Sequence, residues 1–122
     1  MKAYLFVALG GSLGAVLRYA ASGWVQQLAG GLFPWGTLFV NVVGSFLLGA
    51  LYEAAMRAVL PPEWRLFWAV GVLGAFTTFS TLSYETLGML REGALAPALA
   101  YALGSLALGV GAALAGVWAV GR

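Results

Sequence analysis

Apolar residues fall into four long runs, at roughly 3–24, 34–56, 66–90 and 96–120, divided by short polar or proline-containing stretches. Each run is close to the ~20 residues a helix needs to cross a bilayer. The pattern predicts four transmembrane helices in one domain spanning 1–122. Gln26 to Phe33 read as a short uncharged loop, and Leu60-Pro61-Pro62-Glu63-Trp64-Arg65 as a breaker with an aromatic interfacial anchor. Arg91-Glu92-Gly93 closes the third run. The first run continues past Gly10-Gly11-Ser12 without a cleavage-like site, so it reads as a retained span and not as a signal peptide.

The third run is unlike a passive anchor. Thr77, Thr78, Ser80, Thr81 and Ser83 place five hydroxyls in its middle, after Gly71 and Gly74 and before Glu85. Polar groups at membrane depth are costly, face protein or water, and often mark a permeation path. The two glycines permit the backbone to leave helical geometry there, which would free carbonyl oxygens able to hold a cation.

Polar positions on the other runs keep helical spacing. Gly10 and Gly14 form a small-xxx-small pair for close packing. Arg18 reads either as an arginine snorkelling to the headgroups or as a cation at the mouth of an anion pathway. Thr37, Asn41, Gly44/Ser45 and Leu48 share one face. The Asn41 amide needs partners, either on another helix or on a hydrated ion. Glu53 and Arg57 are spaced for an ion pair. Tyr101, Ser105, Gly109, Ala112/Ala113 and Gly116 make a narrow stripe with two hydroxyls on the last run.

Composition agrees with the pattern. Of 122 residues 62% are hydrophobic and 8% charged, with a mean hydropathy of +0.94. Soluble domains carry about 25% charged residues, and a soluble fold of this length has too little interior for so much apolar surface. Cysteine and histidine are absent, which removes disulfides, thiolate metal sites and the commonest general base. The sequence is therefore not expected to be an enzyme. A net charge of +2 points to no nucleic acid. Lys2, Arg57, Arg65 and Arg122 fall on one side of the four spans, with Arg91, and Arg18 if it reaches the interface, on the other. That bias favours cytoplasmic termini by a thin margin, and weakly biased small proteins can insert both ways.

Three motifs, Gly-Gly-Ser-Leu-Gly-Ala-Val-Leu-Arg-Tyr at 10–19, Gly-Thr-Leu-Phe-Val-Asn-Val-Val-Gly-Ser-Phe-Leu-Leu-Gly at 36–49 and Gly-Ala-Phe-Thr-Thr-Phe-Ser-Thr-Leu-Ser-Tyr-Glu at 74–85, together resemble the Fluc/CrcB fluoride channel family, in register over the whole chain. The resemblance implies an all-α antiparallel, dual-topology homodimer with a break in the third helix and two fluoride pores. It implies a sodium ion at the dimer centre, held by main-chain carbonyls of Gly74 and Thr77. It implies a fluoride pathway through Asn41, Phe79, Ser80, Thr81, Tyr101 and Ser105, with Arg18 near the vestibule and Glu85 as a structural or vestibule acid. The implied activity is passive export of fluoride across a prokaryotic inner membrane. One position departs from the family: its second pore phenylalanine is Leu82 here, and an aliphatic side chain lacks the positive ring edge that attracts an anion. The alternatives are a small multidrug-resistance-like drug/proton antiporter and a non-transporting assembly protein. The antiporter needs a carboxylate in the first span, where this sequence has Arg18 and no acid.

Overall fold

The computed structural model describes residues 1–57 and 61–121. The predicted breaker residue Leu60 and the terminal Arg122 lie outside them. The described residues form helices joined by short turns: α1 (Lys2–Ala29), α2 (Trp35–Arg57), α3 (Pro62–Arg65), a π-helical stretch Leu66–Leu73, α4 (Gly74–Phe76), α5 (Phe79–Arg91) and α6 (Leu95–Gly121). Four spans, Lys2–Ala29, Trp35–Arg57, Pro62–Arg91 and Leu95–Gly121, are long and apolar enough to cross a membrane.

The spans pack as two close pairs, α1 against the π-helical stretch and α2 against α6, with α1 and α2 joining them. Glycine makes the close approaches possible. A methyl group on Gly10 would strike the Phe67 carbonyl, one on Gly14 the Val72 carbonyl, and one on Gly116 the Phe46 carbonyl. Small residues at such contacts let backbones meet where no hydrophobic drive separates helix from lipid. The buried set is small, with Val40, Ala69, Val72, Leu73, Ala98 and Tyr101 its apolar members, while most large apolar side chains point outward. That is the reverse of a water-soluble bundle and suits a hydrocarbon surround.

Two boundaries differ from the sequence reading. Helix α1 continues to Ala29, so Gln26 is helical and the turn begins at Gly30, which with Gly31 adopts φ of 69° and 75°. Gln26 then works as a clasp. Its Nε2 donates to the Phe33 carbonyl at 3.0 Å, and its Oε1 accepts from the Gly36 N–H at 3.0 Å. An uncharged, largely apolar sequence hid this, because the glutamine's partners lie beyond the turn.

The second difference concerns the glycines of the third span. Gly74 itself is helical, with φ −61° and ψ −37°, so the departure the glycines permit falls after it. The extended residues are Thr77 (φ −92°, ψ 157°) and Thr78 (φ −149°, ψ 123°), lying between α4 and α5. β-Branched threonines suit extended backbone. Gly71 serves packing instead, its Cα against Gly10.

Candidate functional site

Thr78 is the centre of the site. Asn41, from the second turn of α2, pairs with both backbone polar groups of this residue. The Thr78 N–H donates to Asn41 Oδ1 at 2.8 Å, and Asn41 Nδ2 donates to the Thr78 carbonyl at 3.1 Å. Of the two partners the sequence left open for this amide, the structure provides another span. The Thr78 hydroxyl caps α5 by accepting from the Thr81 N–H at 3.2 Å, and it donates to Thr81 Oγ1 at 3.0 Å. An N-cap of this kind satisfies one of the unpaired N–H groups of a first turn. Thr77 faces the other way, donating from both its N–H and its hydroxyl to the Leu73 carbonyl, at 3.2 and 3.1 Å.

These bonds have a consequence for two carbonyls. In a continuous α-helix the N–H of residue 78 would donate to Gly74 and that of residue 81 to Thr77. Here both donors are spent on side chains, Asn41 and Thr78. The Gly74 and Thr77 carbonyls are left without their helical donors. The intervening Ala75 carbonyl accepts from Arg18 Nε at 3.0 Å. Arg18 is therefore tied to the third span through its Nε. The two open carbonyls are hard, neutral oxygens at an interruption of a membrane span, a donor type that fits an alkali cation. Gly74 is exposed on the surface of the single chain.

Below this junction lies an open-sided groove of about 770 Å³ between α2, α5 and α6. Asn41, Phe79, Leu82 and Ser105 line it, with Thr77 and Thr78. Ser105 is only 6% exposed, and its Oγ has no hydrogen-bond partner among the described residues. A serine within a helix usually bonds back to its own backbone, so this buried hydroxyl of a groove-lining residue is a donor in want of an acceptor. Phe79 is 81% exposed and stands at the groove's rim. Leu82 lies one turn further on and presents a methyl surface.

Ser80, Thr81, Tyr101, Glu85 and Arg18 do not line this groove. Ser80 is exposed, its Oγ 3.5 Å from Thr78 Oγ1, and Thr81 is engaged by Thr78. Glu85 and Tyr101 form a second cluster. The Tyr101 hydroxyl donates to Glu85 Oε1 at 2.6 Å, and Thr37 Oγ1 donates to Oε2 at 3.1 Å. Charge-assisted bonds of this kind are shorter and stronger than neutral ones. The Phe33 ring meets Tyr101 edge-on at 5.4 Å, which ties the Gln26-clasped turn to the same cluster. Glu85 also borders a second cavity of about 540 Å³ that Gln26, Phe33 and Glu92 share.

Two residues central to this geometry were not singled out by sequence, Thr78 and Thr37. Thr78 carried the usual N-cap signal, a hydroxyl before a new helix, but was one of five hydroxyls in a short stretch. Thr37 shared the Asn41 face, and its partner lay 48 residues away.

Residues 5–117 match the family model described as CrcB-like protein, Camphor Resistance (CrcB). A curated relative from Thermus thermophilus, named fluoride-specific ion channel FluC, is 56% identical over 110 residues, covering 90% of this chain and 87% of its own. Proteins of the same name from Rhizobium meliloti and from Leptospira interrogans are 48% and 43% identical, with 96% and 98% of this chain covered and 94% of each relative. With a family match across nearly the whole chain and relatives of equal extent, this protein belongs to the CrcB-like family.

Proposed function

We propose that this protein is a fluoride-selective channel that lets the anion leave the cell passively. Relatives of full length carry that name. In the geometry, the observation that carries the reading is the unpartnered, buried Ser105 hydroxyl on a groove shared with Asn41 and the Phe79 ring. Fluoride is small and holds water tightly, so a pore must offer closely spaced donors in exchange. Hydroxyl, amide and aromatic edge do so without a fixed positive charge that would trap the ion. Cells take up neutral HF and accumulate the anion, so a passive path is enough to relieve toxicity.

In this reading Phe79, Ser80 and Ser83, all exposed on α5, are covered by a second copy of the chain inserted antiparallel. Hydroxyl groups facing hydrocarbon are costly, and a partner removes the cost. The same partner would bring a second Gly74 and Thr77 to complete the coordination of a central sodium ion. When bound, that ion supplies positive potential at the depth where desolvation of an anion costs most. Glu85, held by Tyr101 and Thr37, keeps the vestibule end of α5 in register with α2 and α6. The home of the dimer is a prokaryotic inner membrane. An antiporter reading is opposed by Arg18, which occupies the first span where that mechanism needs a carboxylate.

The test is fluoride efflux from liposomes carrying the purified protein, followed with a fluoride electrode beside a chloride control. Fast efflux of fluoride and not of chloride is expected. A folded, dimeric sample that passes no fluoride would overturn the assignment.

A further inference from the structure

We infer that Thr78 and Asn41 are positioning residues for the cation site: by engaging the backbone N–H groups of residues 81 and 78, they keep the Thr77 and Gly74 carbonyls open. The inference rests on the sodium site proposed above and assigns to it two side chains that do not touch the ion.

A carbonyl receives a cation cheaply only if no hydrogen bond must first be broken. Between α4 and α5 the two donors that would close the helix onto Gly74 and Thr77 are both diverted, one to Asn41 Oδ1 at 2.8 Å and one to Thr78 Oγ1 at 3.2 Å. The diversions have different sources, one another span and one the hydroxyl at the helix cap, and they meet at Thr78. Asn41 also donates to the Thr78 carbonyl, so both backbone polar groups of Thr78 are held by one side chain. Arg18 takes the Ala75 carbonyl between them, so the open pair is the one two side chains have cleared. The extended torsions of Thr77 and Thr78 carry both N–H groups off the helical path, and the two side chains hold the backbone there by giving those N–H groups partners.

Replacing Thr78 by valine keeps shape and β-branching but removes the acceptor. The Thr81 N–H then has the Thr77 carbonyl as its available partner, and sodium must compete with it. Serine restores the hydroxyl. Asn41→Leu tests the other branch by returning the Thr78 N–H to Gly74.

The experiment titrates sodium into the full-length protein in detergent at constant ionic strength, with N-methylglucamine as the replacement cation. It reads the unfolding midpoint together with sodium-23 line broadening. Wild type is expected to show a saturable sodium response. Thr78→Val and Asn41→Leu are expected to shift that response to roughly tenfold higher sodium, and Thr78→Ser to stay within about twofold of wild type. Should Thr78→Val not fold, Asn41→Leu and Thr78→Ser carry the comparison. If Thr78→Val lowers the midpoint equally in both salts and leaves the sodium titration unmoved, Thr78 is a helix cap only and the inference falls. If wild type itself shows no sodium response, the sodium site falls first, an outcome distinguishable because it is seen before any variant is made.

Discussion

At the scale of single residues, the groove separates two kinds of polar group. Asn41 and Thr78 are bonded to each other, while the Ser105 hydroxyl has no partner among the described residues. Removing a satisfied group destabilises by leaving its partner unpaired, whereas removing an unsatisfied one relieves a burial cost. Ser105→Ala is therefore expected to leave thermal stability unchanged or slightly raised while cutting fluoride flux by about tenfold or more. Paired flux and melting measurements check it; a parallel loss of both would make Ser105 a packing residue. Leu82 gives a second residue-scale prediction. It lines the groove beside Phe79, so Leu82→Phe adds a ring edge without adding charge and should raise fluoride flux by about twofold or more. Flux that falls in a folded Leu82→Phe dimer would mean the leucine is needed for space. At Glu85, Tyr101→Phe removes the 2.6 Å donor and leaves Thr37 alone on the carboxylate. Losing a hydrogen bond to a charged group costs about 1.5–3 kcal/mol, and a melting curve in detergent reads it.

At the scale of elements, the structure shows what could be read in advance. The four spans were legible because apolar run length is a direct consequence of bilayer thickness. Gly10 and Gly14 were legible as a packing pair because their spacing places them on one helical face, and each does meet backbone of the third span. Gly14→Val would drive an isopropyl group into the Val72 carbonyl. Overpacking of this kind costs about 1–3 kcal/mol or splits the pair outright, and a lowered melting point or lost expression would report it. The position of the extended residues was not legible. Glycine is the usual sign of departure from helical geometry, but here Gly74 stays helical and Thr77 and Thr78 do not. What fixes them is Asn41, 37 residues away, and no local pattern reports a bond of that range. The end of α1 was missed for a similar reason. The Gln26 side chain bonds across the turn to Phe33 and Gly36, and so lies inside the helix that it helps to end.

At the scale of the whole molecule, the chain alone leaves a hydroxylated edge on α5 facing outward at membrane depth, which the proposed antiparallel partner covers. That proposal depends on both orientations being made from one sequence. Lys2, Arg57 and Arg65 lie on one side of the spans and Arg91 on the other. Arg18 donates to the Ala75 carbonyl of the third span. Orientation follows lysines and arginines close to the span ends, so adding a few lysines tips it. A chain with lysines appended after its last residue should insert with its termini cytoplasmic. A chain with lysines in the turn after Arg91 should insert the other way. Each alone should lose nearly all fluoride flux, because a single orientation cannot form the antiparallel pair, and co-expression of the two should restore it. Full activity from either chain alone, with orientation verified by a reporter on the C-terminus, would leave a parallel or monomeric pore. The shared cation site and the covering of Ser80 and Ser83 would then need another source.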